Sequence, residues 1–129
     1  SVLIFPNVGN LESRTFSAQA RQAVSLLNFA RRTAIVQGRP ASLEIYAAPI
    51  SELEMPQSPL SVGQWEFIYG SIRFEENTDV EYEVEDRIEV VFYPEGGSTG
   101  GTIYLNFEGR ERTILIDSFT GQVVMDHES

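Results

Sequence analysis

The chain has 129 residues, a formal charge of −10, no cysteine and no lysine. That length fits one domain that buries about two-thirds of its unfolded surface, so a core needs no metal or disulfide. Without cysteine there is no disulfide scaffold, thiol nucleophile or thiolate metal site, and a strongly acidic surface repels the phosphates of nucleic acid. The charge is unevenly spread: five arginines face one glutamate through Arg39, and four arginines face eighteen carboxylates beyond it. Two accounts fit this asymmetry. A basic helix could lie on an acidic sheet edge of the same molecule, or neighbouring subunits could orient head to tail.

The apolar patch Ser1-Val2-Leu3-Ile4-Phe5-Pro6 opens the chain and is far too short to span a bilayer, which takes about 20 apolar residues. It reads either as a piece packed on the core or as the tail of a longer membrane helix. From about Leu11 to Gln37 the spacing predicts a helix. Phe16, Ala20, Val24 and Leu27 form a stripe widened by Ala23, Leu26, Ala30 and Ala34, and Gly38-Arg39-Pro40 is a stop signal. About 27 residues reach roughly 40 Å, more than a compact head needs, so part of the helix should project.

Beyond Pro40 the apolar period becomes two. Leu43 and Ile45 alternate, then Trp65, Phe67 and Tyr69; Val80, Tyr82 and Val84; Ile88, Val90 and Phe92; Ile103, Leu105 and Phe107; Ile114 and Ile116; Val123 and Met125. This predicts seven or eight short strands after one helix, an α+β domain with the long N-terminal helix packed on two small antiparallel β-sheets. Glu81, Glu83 and Glu85 give the Val80 strand a wet, charged face. Ala47 to Gly63, with Pro49, Pro56 and Pro59, reads as a long irregular connection.

The glycine-rich stretch Glu95-Gly96-Gly97-Ser98-Thr99-Gly100-Gly101 invites comparison with a phosphate loop. Such a loop needs a helix behind it and a Lys-Ser/Thr pair, and here a strand follows and lysine is absent. The expectation is a wide hairpin turn in which the glycines take φ > 0. Catalytic equipment is thin. His127 stands three residues from the end, Ser98 and Thr99 have no base nearby in sequence, and Glu75, Glu76 and Asp79 read as a solvated charge run whose spacing matches no calcium loop. An enzyme is not expected, nor a metal or cofactor.

Phe92-Tyr93-Pro94-Glu95-Gly96-Gly97-Ser98-Thr99-Gly100-Gly101, the alternation through Ile103 and Leu105, Arg112-Thr113-Ile114, and Thr120-Gly121-Gln122-Val123 together resemble the C-terminal signature of the H-type minor pseudopilins of bacterial type II secretion, the GspH/FimT family. Ala30-Arg31-Arg32-Thr33-Ala34-Ile35 and Gly38-Arg39-Pro40 resemble that family's helix end. Glu95 replaces the usual Asp and Gly97 a Ser, and Tyr46 to Arg87 is unmatched. The resemblance implies a type IV pilin-like subunit whose periplasmic β-sandwich head is anchored in the inner membrane by an N-terminal helix, with a cleavable leader and a methylated Phe.

On that reading residues 1–10 are a remnant of the membrane and assembly helix, and 11–129 the head. Val2, Leu3, Ile4, Phe5, Val8 and Leu11 would contact other major and minor pseudopilins, while Phe92, Pro94, Gly96, Gly100, Gly101, Thr120 and Gly121 form the family turn motif. Secreted exoproteins are candidate further partners, and nucleic acid is not. The implied role is structural, in a pseudopilus that helps export folded proteins across the outer membrane. The alternative is a FimT-like minor type IV pilin in DNA uptake or pilus assembly, whose expected C-terminal arginines are replaced here by the acidic Gln122 to Ser129.

Overall fold

The protein is described by a computed structural model covering residues 8–76 and 80–126, with side chains from Thr15 onward. A single helix, α1 (Val8–Gln37), is followed by eight strands: β1 (Ala41–Tyr46), β2 (Ser61–Glu66), β3 (Ser71–Glu75), β4 (Glu81–Glu83), β5 (Arg87–Phe92), β6 (Gly101–Phe107), β7 (Arg110–Ile116) and β8 (Val123–Met125). The strands form a three-stranded sheet in the order β2-β1-β5 and a five-stranded sheet in the order β4-β3-β6-β7-β8. This is the expected α+β architecture.

The helix packs as its stripe predicts. Phe16, Ala20, Ala23, Leu27, Ala30 and Ala34 are buried, and Val24 and Leu26 are partly so. Four of the six buried residues are alanines, whose small side chains let the helix axis come close to the strands. The helix ends at Gly38, whose φ of 69° and N–H bond of 2.9 Å to the Ala34 carbonyl make a left-handed cap open to glycine. Nearer its start, Phe16 lies 5.9 Å from Phe67 and 5.6 Å from Phe107, ring centre to ring centre, and so touches aromatic residues beside both sheets. One continuous core therefore runs from Leu43, Ile45 and Val90 of the small sheet to Ile72, Ile103, Leu105 and Ile114 of the large one.

Four local features depart from the sequence reading. Residues 71–75 form β3, a central strand of the large sheet, although Ile72 and Phe74 alone are too few to declare a period. Strand β2 begins at Ser61, inside the expected loop, and runs parallel to β1, with Ile45 opposite Trp65. A parallel neighbour needs a return crossover, and the proline-rich segment 47–60 supplies it without a regular helix beyond the single turn at Ile50–Glu52. The Val80 strand keeps only one of its three expected apolar positions in the core, since Val84 is buried but Val80 and Tyr82 stay exposed beside β4's glutamates. Finally, the glycine loop does turn back on β5, with Phe92 bridged antiparallel to Ser98, but β6 then joins the large sheet and not the small one, so the turn also carries the chain between layers.

The segment 47–60 also covers the outer face of the small sheet. That face presents Ser42, Glu44 and Tyr46, so β1 is buried on both sides. The Glu44 carboxylate, fully buried, accepts bonds from the Ser58 N–H at 2.9 Å, the Gln64 amide at 3.1 Å and the Arg87 guanidinium at 2.7 Å. Arg87 also donates to the Pro56 carbonyl at 2.9 Å and the Tyr46 hydroxyl at 3.1 Å. Glu89 accepts from the hydroxyls of Ser42 and Ser58, which ties the loop down a second time. A buried carboxylate is tolerated because its lone pairs are met and its charge is opposed.

Candidate functional site

The residues of the turn motif, separated by up to 29 positions in sequence, converge on the end of α1. Tyr93 and Gly97 pair back to back, with Tyr93 N–H on the Gly97 carbonyl and Gly96 N–H on the Tyr93 carbonyl, both 2.9 Å. Ser98 N–H reaches the Ser118 carbonyl at 2.9 Å, and the nearly buried Ser98 hydroxyl donates to the Asp117 carbonyl at 2.8 Å while accepting the Gly100 N–H at 2.9 Å. Ser98 is thus committed to turn geometry. Thr99 plays the same part for β5, exchanging bonds with Val91 at 2.9 and 3.1 Å and closing the strand's outer edge.

The second turn, Asp117 to Gln122, is built around one carboxylate. Asp117 Oδ1 accepts the Phe119 N–H at 2.7 Å and the Thr120 N–H at 2.9 Å. The backbone bonds from Thr120 and then Phe119 hold the Asp117 pKa below its ordinary value, because they favour the charged form. Gly121 takes φ 72° and packs against the Gly96 carbonyl, so the two turns meet backbone to backbone. Arg31 of α1 closes the assembly by donating Nη2 to the Thr120 carbonyl at 3.1 Å. Phe92, Gly96, Gly100, Gly101, Thr120 and Gly121 therefore act as a clasp between helix and both sheets, with Pro94 in the tip of the loop.

The expected assembly residues fall elsewhere. Val2, Leu3, Ile4 and Phe5 lie outside the described residues, as do His127 and Asp79, while Val8 and Leu11 stand on the first turns of α1. Among the described residues no three His, Asp or Glu side chains come together as a metal site, and no helix is long and apolar enough to cross a membrane.

Two surfaces that the sequence reading passed over stand out instead. Ala18, Gln22, Ser25, Phe29, Arg32 and Val36 are exposed or nearly so and recur every three or four positions along α1, the spacing of a helix-contact seam, opposite the buried stripe. Val36 is 83 % exposed and Phe29 45 %. The sequence signal was the pair Phe29 and Val36 off the core face, masked by the stronger alanine stripe.

The ion pairs of the described residues, Arg73 with Glu81 and Glu111 and Arg87 with Glu44, all lie within the strands, and none joins an arginine of α1. The other surface is on the large sheet. Phe119, 90 % exposed, overhangs an open cleft of about 550 Å³ lined by Leu115, Ile116, Val124, Gln122 and the carboxylate of Asp117.

A family model for type II transport protein GspH matches residues 19–121, which takes in most of the helix, every strand but β8, and the clasp through Gly121. Among solved structures, the type IV minor pilin FimU of Pseudomonas aeruginosa is similar, with a TM-score of 0.54 at 16 % identity over 90 % of this chain and 91 % of that one. At that identity the likeness is one of fold. No curated protein matches. With four-fifths of its length inside the family match and a helix and two sheets arranged as in a minor pilin, the chain belongs to the GspH family of pilin-like proteins.

Proposed function

We propose that this chain is the head of a minor pseudopilin of type II secretion, a structural subunit that joins other pseudopilins in a short periplasmic filament and helps export folded proteins across the outer membrane. An N-terminal membrane helix upstream of the head would anchor it in the inner membrane before assembly, with Val2, Leu3, Ile4, Phe5, Val8 and Leu11 contributing to the bundle of subunit helices.

The observation that carries the reading is the use made of α1: its inner face is spent on the head, while its outer face keeps an exposed seam of contact spacing that includes Phe29, Arg32 and Val36. The clasp fixes the head at one angle on that helix, which is what a subunit stacked through its helix requires.

Deletion of the coding gene is the direct test. The expected outcome is accumulation of secreted exoproteins in the periplasm, restored by the intact gene, with DNA uptake and surface pili unaffected. Normal secretion with loss of pili or of transformation would move the chain to the FimT-like minor pilins. In a mobility-shift titration at physiological salt the acidic body should give no complex with duplex DNA at micromolar protein; a complex that weakens steeply with salt would favour the same alternative.

A further inference from the structure

The cleft beside Phe119 has the attributes of a docking site and no role in the fold. Its aromatic rim residue is held out in water by a turn that is fixed at four points: two N–H bonds to Asp117 Oδ1, the Gly121 contact with Gly96, and the Arg31 bond to the Thr120 carbonyl. A large side chain on so rigid a mount loses little conformational freedom when it is covered, which is the economy seen in interface anchors. Beneath it the exposed Leu115 and Val124 supply an apolar floor, and Asp117 is the one charged residue of the lining. The matching surface is therefore apolar with a cation among its apolar groups.

The outer seam of α1 has that composition. Phe29, Arg32 and Val36 are consecutive seam positions, an apolar group, a cation and an apolar group, and the helix between Thr15 and Gln37 carries arginine but no acidic side chain. We propose that the Phe119 cleft of one copy receives the Phe29-Arg32-Val36 seam of a second copy, with Arg32 directed to the Asp117 carboxylate. The seam and the cleft are different surfaces, so the contact is heterologous: each copy offers a seam and a cleft, and the contact can repeat from copy to copy. The proposal rests on the pilin-like reading and deepens it by naming the two faces that meet.

Because the chain has no cysteine, single cysteines report contacts without background. Copies carrying Val36→Cys are mixed with copies carrying Val124→Cys and oxidised at high protein concentration, with each variant alone, and an exposed Glu54→Cys with either, as references. The mixed Val36–Val124 disulfide should form about tenfold or more faster than any reference pair, and adding Phe119→Ser to the Val124→Cys copy, or Arg32→Glu to the Val36→Cys copy, should remove that advantage. Salt should reduce it as well, since part of the attraction is charge.

Unchanged melting temperatures of Phe119→Ser and Arg32→Glu would assign the loss to the contact. Faster Val124–Val124 linkage would mean that the cleft meets itself across a two-fold axis, and a mixed rate no greater than the Glu54 reference would mean that a second copy is not the occupant; either overturns the proposal. If Val36→Cys then links to other pilin-like subunits in cells while Val124→Cys does not, the subunit role stands and only the proposed pairing falls.

Discussion

Gly121 lies against the carbonyl of Gly96 so closely that a Cβ on Gly121 would fall inside the contact distance of that oxygen, 3.5 Å from the carbonyl carbon and 3.3 Å from Arg31 Nε. The clasp thus depends on the absence of one carbon atom. Gly38 has nearly the same φ, 69° against 72°, with nothing near its missing side chain. The pair separates backbone strain from steric conflict. Gly38→Ala should cost about 1 kcal/mol, the penalty of a left-handed alanine, whereas Gly121→Ala should cost about 2–4 kcal/mol because one of two backbones must also move. Urea titration of both variants checks this, and equal losses would mean that the two turns do not meet as described.

The pH dependence of the Asp117 turn has a definite sign. Its pKa is lowered in the folded chain, so the unfolded chain binds the proton more readily and the contribution to stability is fully present above the ordinary carboxylate value. It is lost as pH falls through the lower, folded pKa. Asn keeps an acceptor oxygen for the Phe119 and Thr120 N–H groups but cannot titrate. Asp117→Asn should therefore melt at lower temperature than the parent at neutral pH, with the gap closing below about pH 3.9, while Asp117→Ala should stay destabilised at every pH. A gap that widens on acidification would show that the carboxylate is not the stabilised form.

The network of Glu44 and Arg87 predicts an asymmetry between single and double replacement. Arg87→Met leaves the buried Glu44 carboxylate without its counter-charge and should cost about 3–5 kcal/mol. Combining it with Glu44→Met removes the stranded charge, and the double variant should be more stable than Arg87→Met alone. Since Ser58 N–H and the Pro56 carbonyl are held by this pair, hydrogen exchange at Ser58 should accelerate in both variants while the amides of β5 and β6 stay protected. Additive single losses would show that the two groups are not coupled.

The helix, most strands and the family turn residues were legible in the sequence because each carries a local signal: a 3.6-residue stripe, a two-residue alternation, glycines where φ is positive. What was not legible depends on partners distant in sequence. Strand β3 has only Ile72 and Phe74 to announce it, and its identity comes from pairing with β6, where Phe74 lies opposite Ile103. The glycine loop makes the turn its composition announces, yet nothing local says that β6 then leaves β5 for the other sheet. The parallel pairing of β1 and β2 is set by how far residues 47–60 travel. Arg31 carries no local mark of its bond 89 positions away, and Phe119 looks like an ordinary core aromatic until the turn around it is built.

The two ends of α1 should respond differently to the same charge. Leu27 is fully buried among Leu43 and its neighbours, so Leu27→Glu places an unpaired carboxylate in the core and should leave the head largely unfolded. Ile4, outside the described residues, is proposed to serve the bundle of subunit helices and not the head. Ile4→Glu should accordingly leave the melting temperature of the head nearly unchanged while abolishing co-assembly with other pseudopilins and secretion by the full-length protein. Circular dichroism melts and a secretion assay on the same pair of variants decide the matter. Destabilisation of the head by Ile4→Glu as great as that by Leu27→Glu would place the front end in the core, because only a buried position imposes that cost, and the assembly role of residues 2–5 would then have to be given up.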